Sequence, residues 1–174
     1  ILAHPEAEAR VRAELAGADL TTPAGIAGLA YLEACIQEAM RLWPTTPMLI
    51  REVVAADTLG GTTVQPGTQV VIWNSPNHRD RSRYPLADTF SPDAWQGGSP
   101  SPLFNHLSSG PQVCAGQDLL LFIAKAVIAT LLRDTCYTLV SPQLDASDPL
   151  PQAFNAFDVE LVPVERTAAP PTSR

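Results

Sequence analysis

The stretch Ser109-Gly110-Pro111-Gln112-Val113-Cys114-Ala115-Gly116 places a cysteine in a glycine-bounded loop directly before a long apolar segment. Residues 116–133 are predicted to form a helix, and within it residues 119–132 are apolar on nearly every side, which is typical of a helix surrounded by protein. A helix N-terminus presents unpaired N–H groups and the positive end of the helix dipole, which stabilise a thiolate, and the thiolate is the form that ligates metals. Gly110 and Gly116 permit a tight turn and the close approach of a flat ligand.

Cys114 also has simpler interpretations. A lone cysteine at a helix start is more often a small buried hydrophobic residue. A nucleophilic cysteine is a further alternative, but no nearby histidine and acid specify that role. The three cysteines, Cys35, Cys114 and Cys136, are odd in number and lack C-x-x-C spacing, which favours neither a disulfide framework nor a zinc site. A reducing compartment, and hence a cytoplasmic location, fits this cysteine usage best.

Composition excludes several classes of protein. With 45% hydrophobic residues, the 174-residue chain has enough apolar material for a real core. A net charge of -7 argues against binding nucleic acid or an anionic membrane by electrostatics. The longest apolar run, residues 119–132, contains Lys125 and is shorter than the ~20 residues that a bilayer span needs. We therefore expect a soluble protein with no nucleic acid and no membrane as partner.

The rest of the chain alternates helix and strand signals. Pro5 and Gly17 punctuate one helix, and Trp43-Pro44 ends a second. Residues 75–113 show no sustained period and predict a long ordered meander, which is unusual enough to indicate a function. We expect an α+β fold, mainly helical with small antiparallel sheets. The predicted helices span 5–16, 29–42 and 116–133, the strands lie within 51–74, 137–140 and 157–164, and residues 167–174 form a disordered tail.

The second predicted helix contains a pair of opposite charges. Glu38 and Arg41 lie three residues apart and therefore share one helical face. Such a pair is usually solvated at the surface. Here Ile36 and Leu42 flank it, which favours burial, and a buried pair would need further partners in a rigid loop.

Several short motifs resemble, in order and spacing, those of the cytochrome P-450 family. One motif alone would be weak, but the ordered set is specific and covers nearly the whole chain. The motifs are Glu38-x-x-Arg41, then Arg51, then Asn77-His78-Arg79-Asp80, then Phe90-x-Pro92-x-x-Trp95, and finally Gly110-x-x-x-Cys114-x-Gly116.

The resemblance implies a role for each matching residue. Cys114 would be the proximal thiolate ligand of a haem b iron, for which this family is the established example. Glu38 and Arg41 would form a lock that holds the meander, and Arg51 would bind a haem propionate unless it is a surface charge at a strand edge. The implied cofactor-binding set is Arg51, His106, Gly110, Gln112, Cys114 and Gly116, with His106 otherwise an ordinary loop histidine. Met48, Leu49 and Phe154 are candidates for an apolar substrate pocket, or otherwise for the core.

Three positions depart from the family pattern. Leu107 replaces the usual phenylalanine before the cysteine loop, and Gln112 replaces an arginine or histidine that commonly binds a propionate. Ala94 stands where an arginine often joins the Glu/Arg lock. We therefore expect the third member of the lock to be absent or supplied by Arg79 or Arg81, and the lock to be looser than usual.

The implied function is that of a haem-thiolate monooxygenase of a divergent bacterial type. It would insert one oxygen atom from O2 into a small apolar substrate, with electrons from a ferredoxin or flavodoxin-type donor on the Cys114 side. Residues 1–166 would be the C-terminal, haem-anchoring portion of a single larger domain, inactive alone, since an enclosed helix needs more partners than this chain holds and the chain starts at Ile1. The alternatives are a peroxide-dependent peroxygenase, a non-catalytic fragment or degenerate homologue, and an α+β domain with a structural cysteine.

Overall fold

The computed structural model describes residues 1–164, so the predicted tail at 167–174 lies outside the described residues. Within them, helices combine with three two-stranded antiparallel sheets, which confirms the predicted α+β class. The helices are α1 (Pro5–Ala16), α2 (Pro23–Ala27), α3 (Ala30–Leu42), α4 (Asn74–His78) and α5 (Gln117–Asp134). The strands are β1 (Met48–Glu52), β2 (Asp57–Leu59), β3 (Thr62–Val64), β4 (Gln69–Trp73), β5 (Cys136–Ser141) and β6 (Glu160–Val164).

The main core lies where α1, α3 and α5 meet. Each of these helices presents apolar residues at three- and four-residue spacing, which places them on one face toward the other two helices. Glu14 of α1 fixes the start of α3, because its carboxylate accepts the backbone N–H groups of Tyr31 (2.7 Å) and Leu32 (2.9 Å). The buried cluster consists of Val11, Leu15, Leu29, Leu32, Cys35, Ile36, Leu121, Ala129 and Leu132.

The described residues cover only one face of α5, where the sequence predicted protein on every side. Lys125, which is 4% exposed, is the one charged group on the covered face within residues 1–164. Its ammonium group donates to the Ala27 carbonyl at 2.8 Å and to Glu33 at 2.6 Å, which ties α5 to the other helices. None of the helices in that range could cross a bilayer. Leu119, Ile123, Val127 and Leu131 form an exposed apolar stripe on the opposite face.

The sheets connect the helices and carry part of the candidate site. Strand β1 pairs antiparallel with β4, and Arg51 lies opposite Val70 in that register. Strands β2 and β3 form a hairpin in which Gly60 and Gly61 both have positive φ (55° and 82°), a conformation that glycine adopts without strain. Strand β5 leaves the end of α5 and pairs antiparallel with β6.

Candidate functional site

Glu38 and Arg41 form a fully buried ion pair on α3. Both side chains are 0% exposed. The guanidinium donates through Nε to Glu38 Oε2 and through Nη2 to Glu38 Oε1, both at 2.8 Å, so the contact is bidentate. The burial that the flanking apolar residues favoured is therefore present.

The remaining donors of Arg41 bind backbone carbonyls from the following segment of the chain. They reach the carbonyls of His78 at 2.9 Å and Ala87 at 2.8 Å, and those of Leu86 at 3.3 Å and Thr89 at 3.0 Å. These are the partners in a rigid loop that a buried pair needs. Arg41 thereby holds the first part of the meander, residues 75–113, against α3.

Glu38 is completed by two further donors from the meander. The backbone N–H of Ser91 donates to Oε1 and the indole Nε1 of Trp95 donates to Oε2, each at 2.8 Å. With the two bonds from Arg41, the carboxylate accepts four hydrogen bonds. The predicted looseness of the lock is therefore not found, although Ala94 supplies no guanidinium.

The predicted substitutes for the missing arginine serve another contact. Arg79 donates to the Asp88 carboxylate at 2.8 Å, and Arg81 pairs with the same carboxylate. These two guanidinium groups hold the pKa of Asp88 below its ordinary value against the opposing effect of burial. Neither arginine joins the Glu38–Arg41 pair, so of the two predicted alternatives the structure has the one in which the third arginine of the lock is absent among the described residues.

The Cys114 loop, residues 107–116, is closed by its own backbone. The N–H of Cys114 donates to the carbonyl of Leu107 at 2.8 Å, and the N–H of Val113 donates to that of Gly110 at 3.1 Å. Cys114 is a free, half-buried cysteine, three residues before α5 begins at Gln117. The sequence thus correctly placed the cysteine in a tight loop ahead of the helix.

One side of this loop is open. Gly110 has a φ of +65°, and a Cβ added there would meet nothing within 4 Å. Ser108 also has positive φ (64°), which is uncommon for a residue with a side chain. Gln112 and Gly116 are exposed on the same loop. The loop therefore presents its backbone, with little side-chain cover, to the space beside the cysteine.

Arg51 is the cationic residue that the fold brings to this loop. Its Nη2 donates to the hydroxyl of Ser108 at 3.0 Å, and its Nη1 donates to the carbonyl of Ile50 in its own strand. The side chain is half-buried, so it is held beside the loop and does not extend freely into solvent. A role toward a propionate stays a prediction.

His106 lies behind the loop. Its ring is 8% exposed, and its Nε2 lies 2.8 Å from Oε1 of Gln37 on α3. Burial lowers the pKa of His106 to about 4, and the neighbouring His78 and Arg41 add to this effect while Glu38 opposes it. The imidazole is therefore neutral at pH 7 and offers a propionate no positive charge, although its role in cofactor binding stays a prediction.

The three candidate pocket residues are not brought together. Phe154 packs edge to face on Trp43, with ring centroids 5.0 Å apart, and lines an apolar cavity of about 540 Å³ between α3, α5 and β5. Met48 and Leu49 do not line this cavity. They alternate on β1, where Met48 is exposed and Leu49 lies on the half-buried face with Arg51. A pocket shared by all three is not formed by the described residues.

Sequence reasoning missed two residues that contact the site. Gln37 precedes Glu38 on α3, and this adjacency was the only available signal for its contact with His106. Ser108 contacts Arg51 across 57 residues of chain. No local pattern in the sequence predicts a pairing between residues so far apart.

Comparison with known proteins gives a consistent picture. The family model for cytochrome P450 matches residues 1–152. Cytochrome P450 4c3 of Drosophila melanogaster is 37% identical over 140 residues, which is 75% of this chain and 26% of that protein. Cytochrome P450 monooxygenase lcsI of Purpureocillium lilacinum is 27% identical over 98% of this chain and 36% of its own length. A steroid 17-alpha-hydroxylase/17,20 lyase of Ictalurus punctatus is 30% identical over 94% of this chain and 33% of its own length.

These relatives identify the family, but they do not test the predictions about the type of organism and the electron donor. The chain spans between 26% and 36% of the length of these three curated relatives. They come from an insect, a fungus and a fish, so they give no support to a bacterial type or to a ferredoxin or flavodoxin-type donor. Because the family match spans residues 1–152 and includes the buried Glu38–Arg41 pair and the Cys114 loop, this chain belongs to the cytochrome P450 family.

Proposed function

We propose that the full-length protein is a haem-thiolate monooxygenase that inserts one oxygen atom from O2 into a small apolar substrate, with Cys114 as the iron ligand. Two of the relatives are named as a monooxygenase and as a steroid hydroxylase and lyase. The observation that carries the proposal is the closed loop in which the Leu107 carbonyl holds the Cys114 amide at 2.8 Å, just before α5. The Cys114 thiol in that position is free and half-buried.

The residues around this loop fit a haem b group. The open side of Gly110 leaves room for a flat ligand next to the backbone. The Cys114 sulfur supplies a soft ligand of the type that iron in this family uses. When bound, the haem supplies oxygen activation, and its thiolate ligand favours cleavage of the O–O bond.

The chain's own residues would act by binding and orientation. Arg51, held by the Ser108 hydroxyl, would bind a propionate carboxylate through a charge-assisted hydrogen bond. The Leu107 carbonyl fixes the backbone that carries the sulfur. The Glu38–Arg41 pair keeps the meander in place behind it, so the position of the loop does not depend on the ligand alone.

The apolar cavity bears on the nature of the substrate. The cavity beside Phe154 is lined almost wholly by apolar side chains, which suits an apolar molecule. Since this reaction consumes electrons, we also propose a separate protein donor that docks on the Cys114 side.

Cys35, Cys114 and Cys136 are all unpaired within residues 1–164, so we further propose that this part of the protein lies in a reducing, cytoplasmic environment. Labelling its cysteines in intact cells would test that location.

The decisive experiment is the spectrum of the reduced, carbon-monoxide-bound full-length protein. We expect the thiolate-type absorbance band in the natural protein and its loss in Cys114→Ala. Cys136→Ser is the matched control, because Cys136 is also half-buried and free but lies in β5. An unchanged band in Cys114→Ala would show that another residue ligates the iron.

A further inference from the structure

The segment that enters the Cys114 loop is attached to α3 through two buried histidines. His78 is 0% exposed and His106 is 8% exposed, with ring centroids 5.9 Å apart. His78 forms a hydrogen bond with the backbone N–H of Asn105. The next residue, His106, forms a hydrogen bond with Gln37 of α3. Two successive anchors of this kind fix both the position and the direction of the backbone that follows.

The hydrogen-bond partners determine the protonation of each ring. His78 Nδ1 lies 3.1 Å from the Arg41 carbonyl, which can only accept, so Nδ1 carries the proton. Its Nε2 lies 3.2 Å from both the side-chain oxygen and the backbone nitrogen of Asn105, and with the proton on Nδ1 it accepts the backbone N–H. Both nitrogens of His78 are thus used to join the C-terminal end of α3 to the segment before the loop.

His106 is arranged differently. Its Nε2 faces the carbonyl oxygen of Gln37 at 2.8 Å and therefore donates the hydrogen bond. Its Nδ1 is buried and has no hydrogen-bond partner among the described residues. A protonated ring would need an acceptor at that second nitrogen, so only the neutral form fits. The groups that act electrostatically on this ring are His78 of α4 and the charged side chains of Glu38 and Arg41 on α3.

A short path of one peptide bond and one hydrogen bond leads from this contact to the cysteine. His106 is followed by Leu107, whose carbonyl accepts the Cys114 N–H at 2.8 Å. We infer that Gln37 and His106 are a positioning pair that holds the Leu107 carbonyl, and through it Cys114, at a fixed place relative to the Glu38–Arg41 pair. The pair acts through the backbone of the loop.

The competing explanation is that His106 only fills space. Its ring packs edge to face on Trp95 at a centroid distance of 5.5 Å, and an apolar side chain of similar size would do the same. Gln37 distinguishes the two explanations, because it is half-buried and contributes its amide to the contact. If only packing matters, removing that amide leaves the loop unaffected.

The test is hydrogen exchange at the Cys114 amide, which is protected by the Leu107 carbonyl. We expect Gln37→Ala to raise its exchange rate about fivefold, the factor that corresponds to one typical hydrogen bond. Gln143→Ala is the control, since that glutamine amide donates to the Val140 carbonyl far from the loop. The backbone amide of Trp43, bonded to the Ala39 carbonyl at the end of α3, reports whether the fold is intact.

Substitution of the histidine itself completes the test. His106→Ala should raise the rate at least as much as Gln37→Ala, and His106→Gln should restore slow exchange because its amide N–H can reach Gln37. Fast exchange in His106→Ala with no effect of Gln37→Ala would show that packing alone holds the loop, and the inference would be overturned. Failure of His106→Gln to restore protection would overturn it equally.

The functional meaning of the pair rests on the proposed role of Cys114, but its test does not. Exchange can be measured without haem, so a negative result there leaves the ligation of iron by Cys114 intact. Conversely, an unchanged spectrum in Cys114→Ala would remove the proposed function and leave the exchange prediction standing.

Discussion

The Glu38–Arg41 pair and the Cys114 loop lie in one connected region but are completed to very different degrees by the described residues. Arg41 donates to Glu38 and to four backbone carbonyls, and both side chains are 0% exposed. The loop, by contrast, exposes Gly110 and Gln112 and has open space beside its backbone. Among the described residues, the charged groups of the pair are fully hydrogen-bonded, whereas the loop presents backbone that no side chain covers.

This difference separates stability from binding. A buried ion pair contributes most when every donor and acceptor is satisfied, because a single missing partner leaves a charge in a region of low dielectric constant. An open backbone surface contributes little to folding but leaves room for a ligand. We therefore expect the largest losses of stability at Arg41 and the smallest on the uncovered side of α5.

The largest effect is expected from Arg41→Met. This substitution removes the donors to four carbonyls and leaves the Glu38 carboxylate buried without its counter-ion, at a cost of about 3–5 kcal/mol. Urea denaturation measures the change. Arg133→Met is the control, because the Arg133–Asp134 pair is largely exposed and should contribute less than about 0.5 kcal/mol. A loss below about 1 kcal/mol for Arg41→Met would mean that the lock does not stabilise the fold.

The next effect concerns acid stability at His106. Its pKa of about 4 in the folded protein lies below the ordinary 6.5, so the unfolded chain takes up the proton first as the pH falls. The stabilisation is complete above pH 6.5 and is lost as the pH falls toward 4, at a cost of about 3 kcal/mol in full. Urea denaturation at pH 7 and pH 4.5 should show this loss in the natural protein.

His106→Gln supplies the comparison, since glutamine has no proton to take up in this range. Its stability should fall less between pH 7 and pH 4.5, by about 2 kcal/mol or more. His78, whose pKa burial also lowers, remains in both proteins and contributes equally to both. Identical pH dependence in the two proteins would show that His106 is not held in its neutral form.

The parts of the fold that the sequence predicted best are those governed by local signals. Helix α1 begins at Pro5 and ends at Ala16 as predicted, because Pro5 and Gly17 punctuate it. Helix α2 was missed because five residues are too few to show a period. Its start depends on the Thr22 hydroxyl, which accepts the N–H of Gly25 at 3.1 Å.

The candidate site was predictable only where a motif or a helix face brings its residues together. Glu38 and Arg41 are three residues apart on α3, so their pairing could be read from spacing. His106 and Gln37 are 69 residues apart, and only the folded meander brings them into contact. For the same reason, the sequence did not reveal that His106 is neutral and attached to α3.

The smallest effect is expected on the exposed stripe of α5, and it tests how far the described residues complete this side of the molecule. Ile123 is 51% exposed, whereas Leu121, two residues earlier, is 4% exposed. Ile123→Ala should cost less than about 1 kcal/mol in this chain, because alanine is a better helix former and little buried area is lost. Leu121→Ala should cost about 2–5 kcal/mol, since Leu121 belongs to the buried core cluster and its truncation leaves a cavity there. If this chain is part of a larger domain, as proposed, the stripe is expected to be covered in that longer protein, where Ile123→Ala should become as costly as Leu121→Ala. Equal, small costs of Ile123→Ala in both proteins would show that the stripe stays exposed, and the contrast between the two sides of the molecule would then be intrinsic to the fold.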